Sequence, residues 1–199
     1  MGSLVFTLDL VATFAFAVVG ARIAINRDMD YAGIILIALV ASLTGGSLRN
    51  IFLGIAPSWL DKYQYFLAVI LAVVFAVLAP SKKPVGFFIL SVDTFGLAVA
   101  VVSGTQFALE KNVPFYSAAL LGITTAVAGG LLRDVLCQVE PILLHRETIG
   151  TSSALGAITY VGLDALALPT AVSAIAAGAV VIGVRAVSIK FDINLPRAK

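Results

Sequence analysis

Charge is scarce in this sequence. Only 12% of its 199 residues are Asp, Glu, Lys or Arg, against roughly 25% in an ordinary soluble domain. Apolar residues make up 60%, and the mean hydropathy is +1.06. So few charges cannot cover a soluble globule, which excludes a cytosolic enzyme, a disordered chain and a coiled coil. A single cysteine, Cys137, excludes an intramolecular disulfide and a Cys-rich metal site, and reads as a small apolar filler. A single histidine, His145, leaves little for imidazole chemistry. No GxSxG or HExxH occurs, and Ser152 and Ser153 form no catalytic pattern with His145. Lys and Arg number 13 against 11 acids, for a net charge of +2, with no basic stretch suited to nucleic acid. The expectation is a protein that is not an enzyme, holds no cofactor and binds no nucleic acid.

What the chain has instead is long apolar runs. Those near 20 residues suit a bilayer, where a helix satisfies its own backbone. Seven spans are expected, at about 4–24, 32–53, 64–80, 85–108, 115–136, 148–166 and 168–189. The fold class is all-α: a polytopic membrane protein forming one transmembrane domain over 1–199. The first span lacks a positively charged start and carries Arg22 at its far end, so it reads as a retained helix, not a signal peptide.

Positive charge sets the orientation. One side collects Arg22, Arg27, Lys82, Lys83, Arg146, Arg185, Lys190, Arg197 and Lys199, and the other only Lys62 and Lys111. This predicts an external N-terminus and a cytoplasmic C-terminus. Trp59, Tyr63 and Tyr65 cluster near the outer interface and read as an aromatic belt. Lys82 and Lys83, between Pro80 and Pro84, make a compact basic loop. Topology determination is its plainer reading, and anionic lipid is the other.

The sequence repeats itself at an offset of 84. Asp9 matches Asp93, Gly20 matches Gly104, Gly45-Gly46 matches Gly129-Gly130, and Leu48-Arg49 matches Leu132-Arg133. Pro57 matches Pro141 and Leu60 matches Leu144, with no gap. Repeat one covers about 4–80 and repeat two about 85–166; helix seven, about 168–189, stands outside. Three spans per copy make the copies an inverted-topology pair, which typically places a pathway at the repeat interface.

Two readings of the paired glycines stay open. They can interrupt helices two and five, freeing carbonyls near Gly45 and Gly129 to replace part of a cation's hydration shell, with Thr44, Thr124 and Thr125 adding hydroxyls. Equally, small residues let helices pack closely. Arg49 and Arg133 are intramembrane charges, either functional or snorkelling from a helix end. Their depths predict two symmetric contacts, Asp9 with Arg49 and Asp93 with Arg133. Asp134 breaks the symmetry, because its partner position is Asn50. It either attracts cations at the inner mouth or neutralises Arg133 or Arg146.

Gly45-Gly46-Ser47-Leu48-Arg49 and Gly129-Gly130-Leu131-Leu132-Arg133-Asp134 closely resemble the signature of the trimeric intracellular cation (TRIC) channel family, in its prokaryotic form. The resemblance covers essentially the whole chain. It implies a homotrimer with a pore in each protomer, in the plasma membrane of a prokaryote. It also implies passive conduction of potassium, with sodium passing, and no bound group beyond the permeant K+ or Na+. Carried over, the pore-kink positions are Gly45, Gly46, Gly129 and Gly130, and the motif charges are Arg49, Arg133 and Asp134. The departures are Thr44 and Ala128, where some members have a third glycine, and Asn50 in place of an acid. The competing reading is a secondary transporter of a small solute such as an amino acid, since inverted repeats with broken helices suit transporters equally well.

Overall fold

The computed structural model describes residues 2–79, 86–139 and 149–191. Lys82, Lys83, His145 and Arg146, the matches at Pro141 and Leu144, and the tail beyond 191 lie outside the described residues. The described residues form seven α-helices, here α1 (Ser3–Asn26), α2 (Tyr31–Phe52), α3 (Gln64–Leu78), α4 (Phe87–Glu110), α5 (Phe115–Leu136), α6 (Ile149–Ala165) and α7 (Thr170–Phe191), with a 3-10 turn at Ser58–Leu60. α1, α2, α4, α5 and α7 are long and apolar enough to cross a membrane. α3 is apolar but has 15 residues, and α6 has 17. Both are shorter than the sequence suggested.

The first two helices of each copy begin and end in register. Ser3–Asn26 and Phe87–Glu110 both have 24 residues and begin 84 apart; Tyr31–Phe52 and Phe115–Leu136 both have 22 and do the same. Their ends repeat too. Asp28 and Asn112 take positive φ (54° and 57°) after the first helix of each copy, and Gly54 and Gln138 (68° and 51°) after the second. Left-handed residues of this kind close helices, and Asn, Asp and Gly reach that region most cheaply. The start of α2 has a side-chain cap, where Asp30 accepts from the Gly33 N–H at 2.8 Å. The equivalent position is Pro114.

α1 and α4 form the centre, packed on each other and on α2 and α5 respectively. They run antiparallel: a Cβ on Gly2 would lie 3.3 Å from Glu110 Oε1. Hence the copies are inverted. α3 flanks α1, and α6 and α7 pack on each other and on α4. The core is knit by small residues such as Ala17, Ala21, Ala38, Ala72 and Ala76, which let helices approach where lipid provides no hydrophobic drive. Cys137 is buried among them, as expected of a filler.

Two arginines assigned from sequence to the positive side belong inside helices. Arg22 is buried in α1, and its Nη1 donates to the carbonyls of Ala76 (3.0 Å) and Ala79 (2.7 Å), capping the end of α3. Arg185 is 1% exposed within α7. Removing both leaves the Lys/Arg bias pointing the same way.

Candidate functional site

α2 and α5 cross at the repeat interface. A Cβ on Gly45 would overlap the Thr125 carbonyl oxygen, and one on Gly129 would overlap the Ala41 carbonyl oxygen. The contacts are the same contact, exchanged between copies. Both helices stay continuous through the glycine pairs. The expected interruption is therefore corrected: these carbonyls belong to unbroken helices, and Gly45 and Gly129 act by letting two backbones touch. Gly46 and Gly130 differ. Their nearest neighbours are the guanidinium groups of Arg49 (4.0 Å) and Arg133 (3.7 Å). The first glycine of each pair makes the crossing, and the second lies beside its arginine with space for a methyl group.

The predicted ion pairs are present and direct. Arg49 Nη1 donates to Asp9 Oδ1 at 3.1 Å, and Nη2 donates to Oδ2 at 2.9 Å. In the second copy Arg133 Nη1 donates to Asp93 Oδ1 at 3.2 Å. All four residues are buried. The residue after each arginine does parallel work. Asn50 Oδ1 accepts from Arg49 Nε at 3.1 Å, and Asp134 Oδ1 accepts from Arg133 Nε at 2.8 Å. Asn50 also donates from Nδ2 to the Ala56 carbonyl and Ser58 Oγ, tying the loop after α2. Paired this tightly inside the bundle, the arginines do not snorkel. Arg49 also lies 4.3 Å from the centre of the Phe107 ring, a cation–π contact.

Each cluster faces a cavity. The first, about 40 Å³, is lined by Asp9, Thr13, Ser42, Gly46, Arg49 and Ser103, with Thr125 and Tyr65 at its wall. The second, about 20 Å³, is lined by Asp93, Leu97, Ala126, Gly130, Arg133 and Asp134. Either has room for a water or a dehydrated ion. They lie at opposite ends of the crossing, because α1 and α4 are antiparallel. Hydroxyls at Thr13 and Ser42 in the first become Leu97 and Ala126 in the second. Phe16 is shared by the two sites, lining both cavities.

Thr44 is not among the residues lining the first cavity; its hydroxyl donates back to the Val40 carbonyl at 2.7 Å. Thr124 does the same to Leu120. Trp59 and Tyr65 are not simple interface anchors. Trp59 Nε1 donates to Ser47 Oγ at 2.8 Å, its ring packs edge-on against Phe66, and both residues wall the first cavity. Tyr63 alone of the three is well exposed. Sequence reasoning also missed Phe16, which looks like any apolar residue of α1, and Arg185. From α7, Arg185 Nε donates to Thr94 Oγ1 at 3.2 Å, and its Nη2 lies 3.7 Å from Asp93 Oδ2. An arginine within a long apolar run was the available signal. Among the described residues, no three His, Cys, Asp or Glu side chains are grouped to hold a metal.

The comparisons agree with this geometry. The chain is 32% identical to the TRIC trimeric intracellular cation channel orthologue from Rhodobacter sphaeroides, with a TM-score of 0.88 over 96% of this chain and 100% of that one. It is 28% identical to the inner membrane protein YadS of Escherichia coli K12, covering 97% of this chain and 95% of YadS. It is 30% identical to the membrane protein YvgT of Bacillus subtilis, covering 78% of each. The family profile described as "Glycine transporter" matches twice, at residues 6–81 and 90–165, again 84 apart. Matched over both repeats and sharing its fold with a solved TRIC protein, the chain belongs to this family as a prokaryotic-type, multi-pass membrane protein of the TRIC group.

Proposed function

We propose that this protein is a passive channel for monovalent cations, permeable to potassium and to sodium, and not an enzyme. It works as a homotrimer with one pathway per protomer, each protomer a single transmembrane domain over 1–199. The pathway runs from the Asp9–Arg49 cavity to the Asp93–Arg133–Asp134 cavity through the crossing of α2 and α5. Gly45 and Gly129 shape its waist, and Gly46 and Gly130 lie beside the arginines. It needs no resident cofactor; K+ or Na+ is held only in passing. The protein sits in the plasma membrane of a prokaryote, N-terminus outside and C-terminus cytoplasmic, with anionic lipid near Lys82 and Lys83.

The observation that carries this reading is the pair of repeat-related cavities, each faced by a buried arginine, with Phe16 lining both. Inverted repeats place pathways at such interfaces, and the likeness to solved TRIC cation channels supports conduction. The protein is reconstituted in planar bilayers across a potassium chloride gradient. Discrete current steps reversing near the potassium potential are expected. A silent bilayer, with saturable glycine uptake in matched liposomes, would instead support a secondary transporter of a small solute.

A further inference from the structure

The repeat is broken at one charge. The first motif carries neutral Asn50 where the second carries Asp134. Both side chains sit in the same relation to their arginine, accepting from its Nε. A buried carboxylate needs a counter-charge that a buried amide does not. The first cluster, Asp9 with Arg49, is already neutral. Asp93, Arg133 and Asp134 alone would carry one excess negative charge.

The missing positive charge comes from the helix outside the repeat. Arg185 reaches Asp93 from α7, so the four groups alternate in sign: Arg185, Asp93, Arg133, Asp134. Each is 9% exposed or less. Asp93 and Asp134 line the second cavity, whereas Arg185 contacts Asp93 and is not among the lining residues. We infer that Arg185 is a positioning charge that balances Asp134 through the Asp93–Arg133 pair. It thereby sets how strongly the second cavity draws cations relative to the first. This rests on the channel reading. It also gives α7, which has no counterpart in the repeat, a specific electrostatic task.

The test compares Arg185→Gln, Asp134→Asn, the double variant and Arg185→Lys. All are full-length, reconstituted in bilayers with equal potassium chloride on both sides. Asn50 shows that an amide fits the position of Asp134. Arg185→Gln removes one positive charge beside Asp93 and should raise cation current entering from the Asp134 side. Against current from the other side, a change of about threefold or more is expected. Asp134→Asn should shift the ratio the opposite way. The double variant should return to the wild-type ratio, and Arg185→Lys should keep it. Shifts of the same sign in both single variants, or a double variant that does not return, would overturn the proposal by making Arg185 a mere staple. If the wild type itself carries no current, the channel reading fails, and the charge balance is then read from thermal unfolding of the same four proteins. A double variant melting above both single variants supports the balance; additive losses overturn it.

Discussion

Asp9 and Arg49 form a two-point ion pair inside the bundle, with both terminal guanidinium nitrogens on both carboxylate oxygens. The pair joins α1 to α2 at a place with little water. Removing one partner strands the other. Arg49→Met should therefore cost about 3–5 kcal/mol, while Asp9→Asn with Arg49→Met together should recover a large part of it. Unfolding of purified single and double variants in detergent measures the coupling; simple additivity would count against the pair as a unit.

The two glycines of each motif should respond oppositely to alanine. Gly45→Ala and Gly129→Ala force a methyl into the facing carbonyl and should destabilise by about 1–3 kcal/mol. Gly46→Ala and Gly130→Ala meet only the far end of an arginine and gain about 1 kcal/mol of helix propensity. Melting temperature and monodispersity on gel filtration distinguish the two classes.

Phe16 lines both cavities, so its size should control the path. Phe16→Ala should raise potassium flux into liposomes several-fold, and Phe16→Trp should lower it. The alanine variant also loses about 3–5 kcal/mol of packing, so flux is measured on the fraction that remains folded. Unchanged flux in both variants would place the barrier elsewhere.

Cys137, just past α5, is buried, and burial pushes its thiol above the usual value. The folded protein should alkylate slowly at pH 8 and rapidly once unfolded. Because the folded state holds this proton more tightly, the thiol's contribution to stability declines as pH rises above the ordinary cysteine range. Maleimide labelling across pH, with and without denaturant, checks both.

Much of this arrangement was legible in one dimension. The offset of 84 foretold which helices are copies, and inverted copies placed Asp9 near Arg49 and Asp93 near Arg133. Apolar run lengths gave the helices to within a few residues, although α3 and α6 are shorter than expected. Asp134 was flagged as the asymmetric position, and its partner proved to be Arg133.

Other features were not legible, because they depend on which face of a helix points inward. A Gly-Gly pair reads the same whether it unwinds a helix or packs it; only the approach of α5 to α2 decided for packing, and it split the pair into two roles. Trp59 and Tyr65 look like interface anchors until the loop after α2 turns them toward the cavity. Phe16 is one apolar residue among many on α1.

The sequence by itself determined the membrane class, the repeat, its inversion and the charged pairs, since these follow from composition and from residues recurring at a fixed spacing. The tertiary structure alone decided the crossing at Gly45 and Gly129, the sharing of Phe16 by both cavities, and the reach of Arg185 to Thr94, 91 residues away. Those contacts join helices far apart in the chain. Their orientation is set by small residues packing together, and no local pattern records which neighbour a side chain will meet.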